Sequence, residues 1–234
     1  MRMENGAGVM RVRGRETPAP GRFTGQGRGE RSRAPSGANR PKARRLAGGL
    51  LLALSLLVFE SGWPCPASSR TLGSVDLPEV LAIEGCRLVL NGAEYRKRFG
   101  LKIYACGLYL TARSSDWQAI VAADEPMAVR MHFVFDVSRA QMIEMMDKGF
   151  RNATRGNIAP ISKNIESLYA QVPERLFKGD VVDLVYVPRR GVICHVNGAY
   201  RGESPGLAFK QAVFGIWLGE KPIAEYLKNG MLGK

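Results

Sequence analysis

The stretch DVVDLVYVPRRGVICHVNGAYRG, Asp180 to Gly202, constrains the fold more than any other. Two runs rich in Val, Ile and Tyr flank the connection Pro188-Arg189-Arg190-Gly191. A link that short joins antiparallel neighbours, because a parallel crossover needs about a dozen residues or more. Asn197-Gly198 supplies a second tight turn. The chain is therefore committed to an antiparallel sheet, and the remaining segments must cover it.

Other segments agree. MAVRMHFVFD alternates, with Met127, Val129, Met131, Phe133 and Phe135 on one face and Arg130, His132 and Asp136 on the other, wetter one. VLAIEGCRLVLNG reads as two short strands around Gly85, with Asn91-Gly92 closing the second. LKIYACGLYLTA is a further strand, on which Tyr104 shares a face with Lys102, Cys106, Leu108 and Leu110. SDWQAIVAA is a short helix capped by Ser115 or Asp116. Ser138 opens a longer helix with Gln141 at capping-box spacing. That helix aligns Ile143, Met146, Phe150 and Ala153, with Met142 and Met145 flanking. A Met-rich face is core or the adaptable wall of a ligand cavity, because thioether chains repack around irregular shapes. APISKNIESLYAQV is a second helix. SPGLAFKQAVFGIWLG is a third, with Ser204 as its cap, Pro205 in its first turn, and Phe209, Ala212, Val213, Ile216 and Trp217 as its buried stripe. KPIAEYLKNGMLG closes with a short helix. The expected fold class is α+β, an antiparallel sheet with helices packed on one face, over residues 77–234.

The chain has 234 residues and a formal charge of +13, unevenly distributed. Residues 1–67 hold 12 Lys and Arg against 4 Asp and Glu, so most of the excess lies outside the expected domain and argues against a nucleic-acid partner. Residues 1–45 are rich in Arg, Gly, Pro, Ser and Ala and cannot bury enough apolar surface to offset ordering, so a disordered basic extension is expected. Leu46 to Phe59 is a run of 14 uncharged residues after Lys42, Arg44 and Arg45. It is short for a bilayer span, which needs roughly 17–25 residues. A signal peptide over 46–67, cut before Ser68, fits this pattern; an uncleaved short anchor is the alternative. The expected location is exported, periplasmic or secreted. After such a cut Cys86, Cys106 and Cys194 remain, without a CxxC pair, and they read as small buried hydrophobes. With only His132 and His195, a zinc site has little support. No GxGxxG follows a strand, and neither a P-loop nor GxSxG occurs, so no cofactor is expected.

The stretch RKRFGLKIYACGLYL, Arg96 to Leu110, turns from three cations into an apolar strand. With NGAEYRKRFG before it, and with KGFRNA, KGDVVDLVYVP, GVICHVNGAYRG and FKQAVFGIWLGEKPIAEYLKNGMLG after it, the order resembles the bacterial chalcone-isomerase-like branch of the chalcone isomerase superfamily. That resemblance implies an open-faced β-sandwich, a large antiparallel sheet covered by helices with a ligand cleft between. It also implies one of three roles: ring closure of chalcones, non-catalytic assistance to that pathway, or fatty-acid binding. Fatty-acid-binding members hold the carboxylate with an Arg before the motif strand and a Tyr within it; isomerases keep the Arg and carry Thr at the second place. Here Arg96 and Tyr104 fall at those positions, with Arg98 a rival for the first. Gln141 and Lys148 stand where isomerases carry Tyr and Asn. The resemblance thus implies a non-catalytic binding protein whose partner is a small carboxylate amphiphile and whose ligand-binding residues are Arg96 and Tyr104. The alternatives are an isomerase of intramolecular-lyase type or an envelope scaffold. Membrane association is expected only through the N-terminal apolar segment.

Overall fold

The computed structural model describes residues 68–234. The expected disordered extension and signal peptide or anchor lie outside the described residues.

Seven antiparallel strands form the main sheet, in the order β11-β10-β9-β6-β5-β4-β3. They are β3 (Val80–Ile83), β4 (Cys86–Arg98), β5 (Leu101–Leu110), β6 (Met127–Phe133), β9 (Val181–Val187), β10 (Gly191–Val196) and β11 (Ala199–Ser204). The pairing of β9 with β10 and the turn at Asn197-Gly198 are as the sequence dictates. Asn197 has φ 53° and Gly198 φ 76°, the left-handed pair that Asn-Gly adopts readily. Two further pairs flank the sheet: β1 (Ser69–Leu72) with β2 (Val75–Pro78), and β7 (Val137–Ser138) with β8 (Arg175–Leu176). The ordered strands thus begin ahead of Leu77.

Helices cover one face. They are α1 (Trp117–Ala122), α2 (Arg139–Ala153), α3 (Ser162–Gln171), α4 (Leu207–Leu218) and α5 (Glu225–Met231). Asp116 caps α1, accepting from the backbone N–H groups of Gln118 and Ala119. Ser138 and Gln141 form the expected capping box of α2. The α2 stripe is centred on Met142, Met146, Gly149 and Phe150, with Ile143 displaced to the half-buried flank. From Ala212 to its end helix α4 is buried on every side, so it is the hub of the core rather than an amphipathic cover. It starts at Leu207 behind Gly206, because Ser204 completes β11 opposite Val192 instead of capping the helix.

The sheet's two faces carry separate cores. Tyr104, Cys106, Leu108, Met131, Phe133 and Leu184 meet the helices. Ala105, Tyr109, Ala128 and Val185 face the other way, under Val75, Leu77, Leu88 and Leu90. The sheet is strongly curled. Glu84, at the tip of the β3–β4 hairpin, reaches His195 on β10 at 2.7 Å and Arg190 before it at 2.5 Å, although β3 and β10 lie near opposite edges of the strand order. Arg190 beside it holds the Glu84 carboxyl below its ordinary range. Between these edges Arg130 donates twice to the buried Asp183, at 2.7 and 2.9 Å.

Asn91-Gly92 is not the expected turn. β4 runs through it as a bulge, and α5 takes up the space beside Gly92. A Cβ at Gly92 would stand 2.3 Å from the Gly230 carbonyl oxygen and 2.7 Å from that of Met231. Asn91 donates to the Met231 and Ser114 carbonyls, each at 2.9 Å, and accepts from the Ser114 N–H at 2.8 Å. Cys86, Cys106 and Cys194 are free thiols; the last two are buried hydrophobes, and Cys86 is half-buried.

Candidate functional site

β4 and β5 bring Arg96 and Tyr104 directly opposite each other. Residues opposed in this way have Cβ atoms about 5 Å apart. Both side chains line a cavity of about 410 Å³ between the sheet and α2. Its apolar wall comes from Ile103, Phe133, Val137, Met142 and Met145, with Pro222 and Ile223 beyond α4. Arg98, Asp136, Gln141, Glu144 and Lys148 supply its polar lining. The Met-rich α2 is thus core along Met142 and Met146 and also cavity wall along Met142 and Met145.

Tyr104 is fully buried and tilts against Phe133 at a ring separation of 5.4 Å. The Trp217 indole N–H donates to its phenol oxygen at 3.3 Å. Tyr104 therefore keeps its own O–H as a donor, and the acceptor in reach is the thioether of Met145 at 3.7 Å. Thioether sulfur is a weak acceptor. Burial pushes the Tyr104 phenol well above its ordinary range, so the hydroxyl remains a donor throughout physiological pH.

Arg96 is half-buried, and its Nε–H is buried without a partner. The other end of the guanidinium is held in place. It donates to the Lys97 carbonyl and, at 3.3 Å, to the Tyr226 hydroxyl of α5. Tyr226 also accepts the Lys97 N–H at 2.8 Å. Arg98 lines the mouth as well, exposed and 3.6 Å from Glu144. Gln141 is engaged in the capping box, and Lys148 is an exposed cation beside the cavity. Lys102 does not share Tyr104's side: its ammonium lies 4.3 Å over the Tyr95 ring, in the other core. Sequence reasoning leaves out Tyr226; it places Met145 on a possible cavity wall and Trp217 in a buried stripe, but not the contact of either with Tyr104. All three come from helices distant in sequence, and only the charge and aromatic content of α5 hints at Tyr226.

At the Arg96–Tyr104 pair two donors meet no good acceptor, and the carboxylates of the lining are engaged elsewhere, Asp136 by the Lys178 N–H and Glu144 by Arg98. Unpaired buried donors cost about 1–3 kcal/mol each. An oxygen anion between Arg96 and Tyr104 would satisfy both.

A model of the chalcone isomerase-like family matches residues 69–233. The chain belongs to that family. Among solved structures, the chain is similar to a fatty-acid-binding protein from Arabidopsis thaliana, with a TM-score of 0.57 and 14% sequence identity. That likeness covers 70% of this chain and 96% of the plant protein, and it establishes the chalcone isomerase-like fold. The curled antiparallel sheet with helices on one face is the architecture that the resemblance in sequence implied. A comparison with curated protein sequences finds no match.

Proposed function

We propose that this chalcone isomerase-like protein is a non-catalytic binder of a fatty acid or similar carboxylate amphiphile, held in the cavity between the sheet and α2. The observation that carries the reading is the pair of donors on opposed strands, Arg96 Nε–H and Tyr104 O–H, each lacking a good acceptor. A carboxylate takes a guanidinium N–H and a phenol O–H at once, in short charge-assisted bonds. The apolar wall then receives the chain. The plant structure of the same fold, itself a fatty-acid-binding protein, supports the ligand class. Tyr104 stands where isomerases of the superfamily carry Thr, which favours holding a ligand over closing a ring.

Binding is expected to depend on both ends of the ligand. Each methylene removed from a saturated fatty-acid probe should weaken binding about fourfold while the chain still fills the cavity, since a buried CH₂ contributes about 0.8 kcal/mol. Calorimetric titration with a chain-length series, and with the matching methyl esters, measures this. Equal affinity for acid and ester, or no binding of either, would sink the proposal.

We also propose that the protein is exported. The basic residues before the uncharged run Leu46–Phe59 support this. N-terminal sequencing of the protein recovered from its native cell should begin at Ser68; a start within residues 1–46 would leave the segment as an anchor or overturn export.

A further inference from the structure

The cavity opens at one end of the sheet. β4 ends there, β5 and β9 begin there, and β6 finishes there opposite Tyr104. The turns at this end carry the three exposed phenylalanines among the described residues: Phe99 at 91%, Phe135 at 48% and Phe177 at 53%. Leu101 joins them at 54%. Neighbouring strands lie about 5 Å apart, so these turns sit side by side.

Phe99 is the informative one. It occupies the first position of the two-residue β4–β5 turn with φ 51°, followed by Gly100 at φ 78°. That backbone favours Asn and is a steric outlier for a bulky side chain. The chain accepts this strain and then leaves the ring in solvent, so neither folding nor core packing explains the residue. A cation accompanies each of two rings: the Arg98 guanidinium is 5.3 Å from the centre of Phe99, and that of Arg175 is 5.8 Å from Phe177. Lys97, Lys102 and Lys178 add to the positive charge and are also exposed. Of the nearby acids, Asp136 and Asp180 accept backbone N–H groups of Lys178 and Phe177 at 2.9 and 2.7 Å, and Glu144 faces Arg98.

We propose that this end of the sheet docks on an anionic lipid surface, with Phe99, Leu101 and Phe177 entering the headgroup layer and Arg98, Arg175 and Lys178 meeting the lipid phosphates. Protruding rings on separate turns, each beside a cation, suit an interface whose components can rearrange around them. They do not make the flat, contiguous apolar patch that a protein partner would bury. The docking is independent of the acyl-binding reading, although it would give an amphiphile a path from bilayer to cavity.

The test uses the full chain carrying Phe99→Trp, with the wild-type emission subtracted so that only the new indole reports. Equimolar phosphatidylcholine and phosphatidylglycerol vesicles should shift its emission to the blue, and nitroxide-labelled lipid should quench it. Pure phosphatidylcholine vesicles and high salt should abolish both. Binding through the N-terminal segment alone would be indifferent to Arg175, so loss of quenching at residue 99 in Phe99→Trp carrying Arg175→Gln separates the two modes. Arg175→Gln should weaken vesicle partitioning about fivefold, from about 1 kcal/mol per cation. Phe99→Asn, which suits the turn, should lose partitioning while raising the melting temperature. No response at residue 99 to anionic vesicles, equal responses to both vesicle types, or a shift induced by a soluble polyanion without lipid quenching would each overturn the proposal. Phe99→Asn and Arg175→Gln lie outside the cavity lining, so their fatty-acid affinity in solution should equal that of wild type. Failure of the acyl reading would instead appear as loss of that affinity in wild type, with the vesicle response intact.

Discussion

Replacing Arg96 with glutamine is expected to weaken binding of a long-chain fatty acid about 100-fold, with little effect on its methyl ester. Truncating one partner of a buried charge pair costs about 2–5 kcal/mol, which sets the scale. The ester control isolates the charge, because it offers the same chain to the same wall without an anion. Tyr104→Phe should cost less, about fivefold, since it removes a single neutral donor. It also leaves the Trp217 N–H without its acceptor, so a modest loss of stability accompanies it. Arg96→Gln should cost the fold little, because the buried Nε–H has no partner to lose and the bonds given up, to the Lys97 carbonyl and the Tyr226 hydroxyl, are exposed. Calorimetry on the two variants with acid and ester separates these effects. If Arg96→Gln binds the acid as tightly as wild type, the anion is held elsewhere, with Arg98 and Lys148 the next cations on the lining.

Lys210→Met should lower stability by about 3 kcal/mol or more. The melting temperature should fall by roughly 10 °C. Lys210 is fully buried on α4, and its ammonium donates to the carbonyls of Ile120, Val121 and Ala123 at 2.8, 2.9 and 2.7 Å. Its three protons thereby close the C-terminal end of α1. Two terms oppose each other. Desolvation disfavours the ammonium and pulls its pKa down to about 8, so it is still mostly protonated at neutral pH. Methionine removes that cost and matches the stem in shape, yet it orphans three carbonyls in or beside the core. The second term wins, because each unsatisfied buried acceptor costs about 1–3 kcal/mol. Thermal denaturation of both proteins decides it. An unchanged midpoint would mean that water replaces the ammonium.

Strands were legible in the sequence where alternation was strong, as in β6, or where Val-, Ile- and Tyr-rich runs met at a short connection, as in β9 and β10, and the cap of α2 was legible from Ser138 and Gln141. The misreadings share a cause: local signals that a distant segment overrides. Asn-Gly has the same appearance in a turn and in a bulge, and only the approach of α5, some 140 residues later, makes it a bulge. Ser204 and Pro205 resemble a helix start, but pairing with Val192 extends β11 through Ser204. A two-residue turn at Phe99-Gly100 alone would set Arg96 opposite Ile103; the register shift between Arg96 and Lys97 brings Tyr104 there, and no local signal announces it. Tyr226 could not be anticipated, and neither could the contacts of Trp217 and Met145 with Tyr104, because no periodicity links them to that strand pair. Lys210 left a faint signal, a single charge in an otherwise apolar helix, and its meaning depends on where α1 ends.

The clasp between Asn91-Gly92 and α5 bears on when the protein can fold. Residues 230–233 fill space against a central region of β4, and the bond from Asn91 to Met231 ties the sheet to them. Contacts of such long sequence separation form late and slow folding. A nascent chain can therefore pair its hairpins early, but it cannot close this seam before Met231 has been synthesised. Until then the β4 bulge and one side of the core lie open to water. A chain in that state is unfinished and pliable, which is the state that the export proposed above would require.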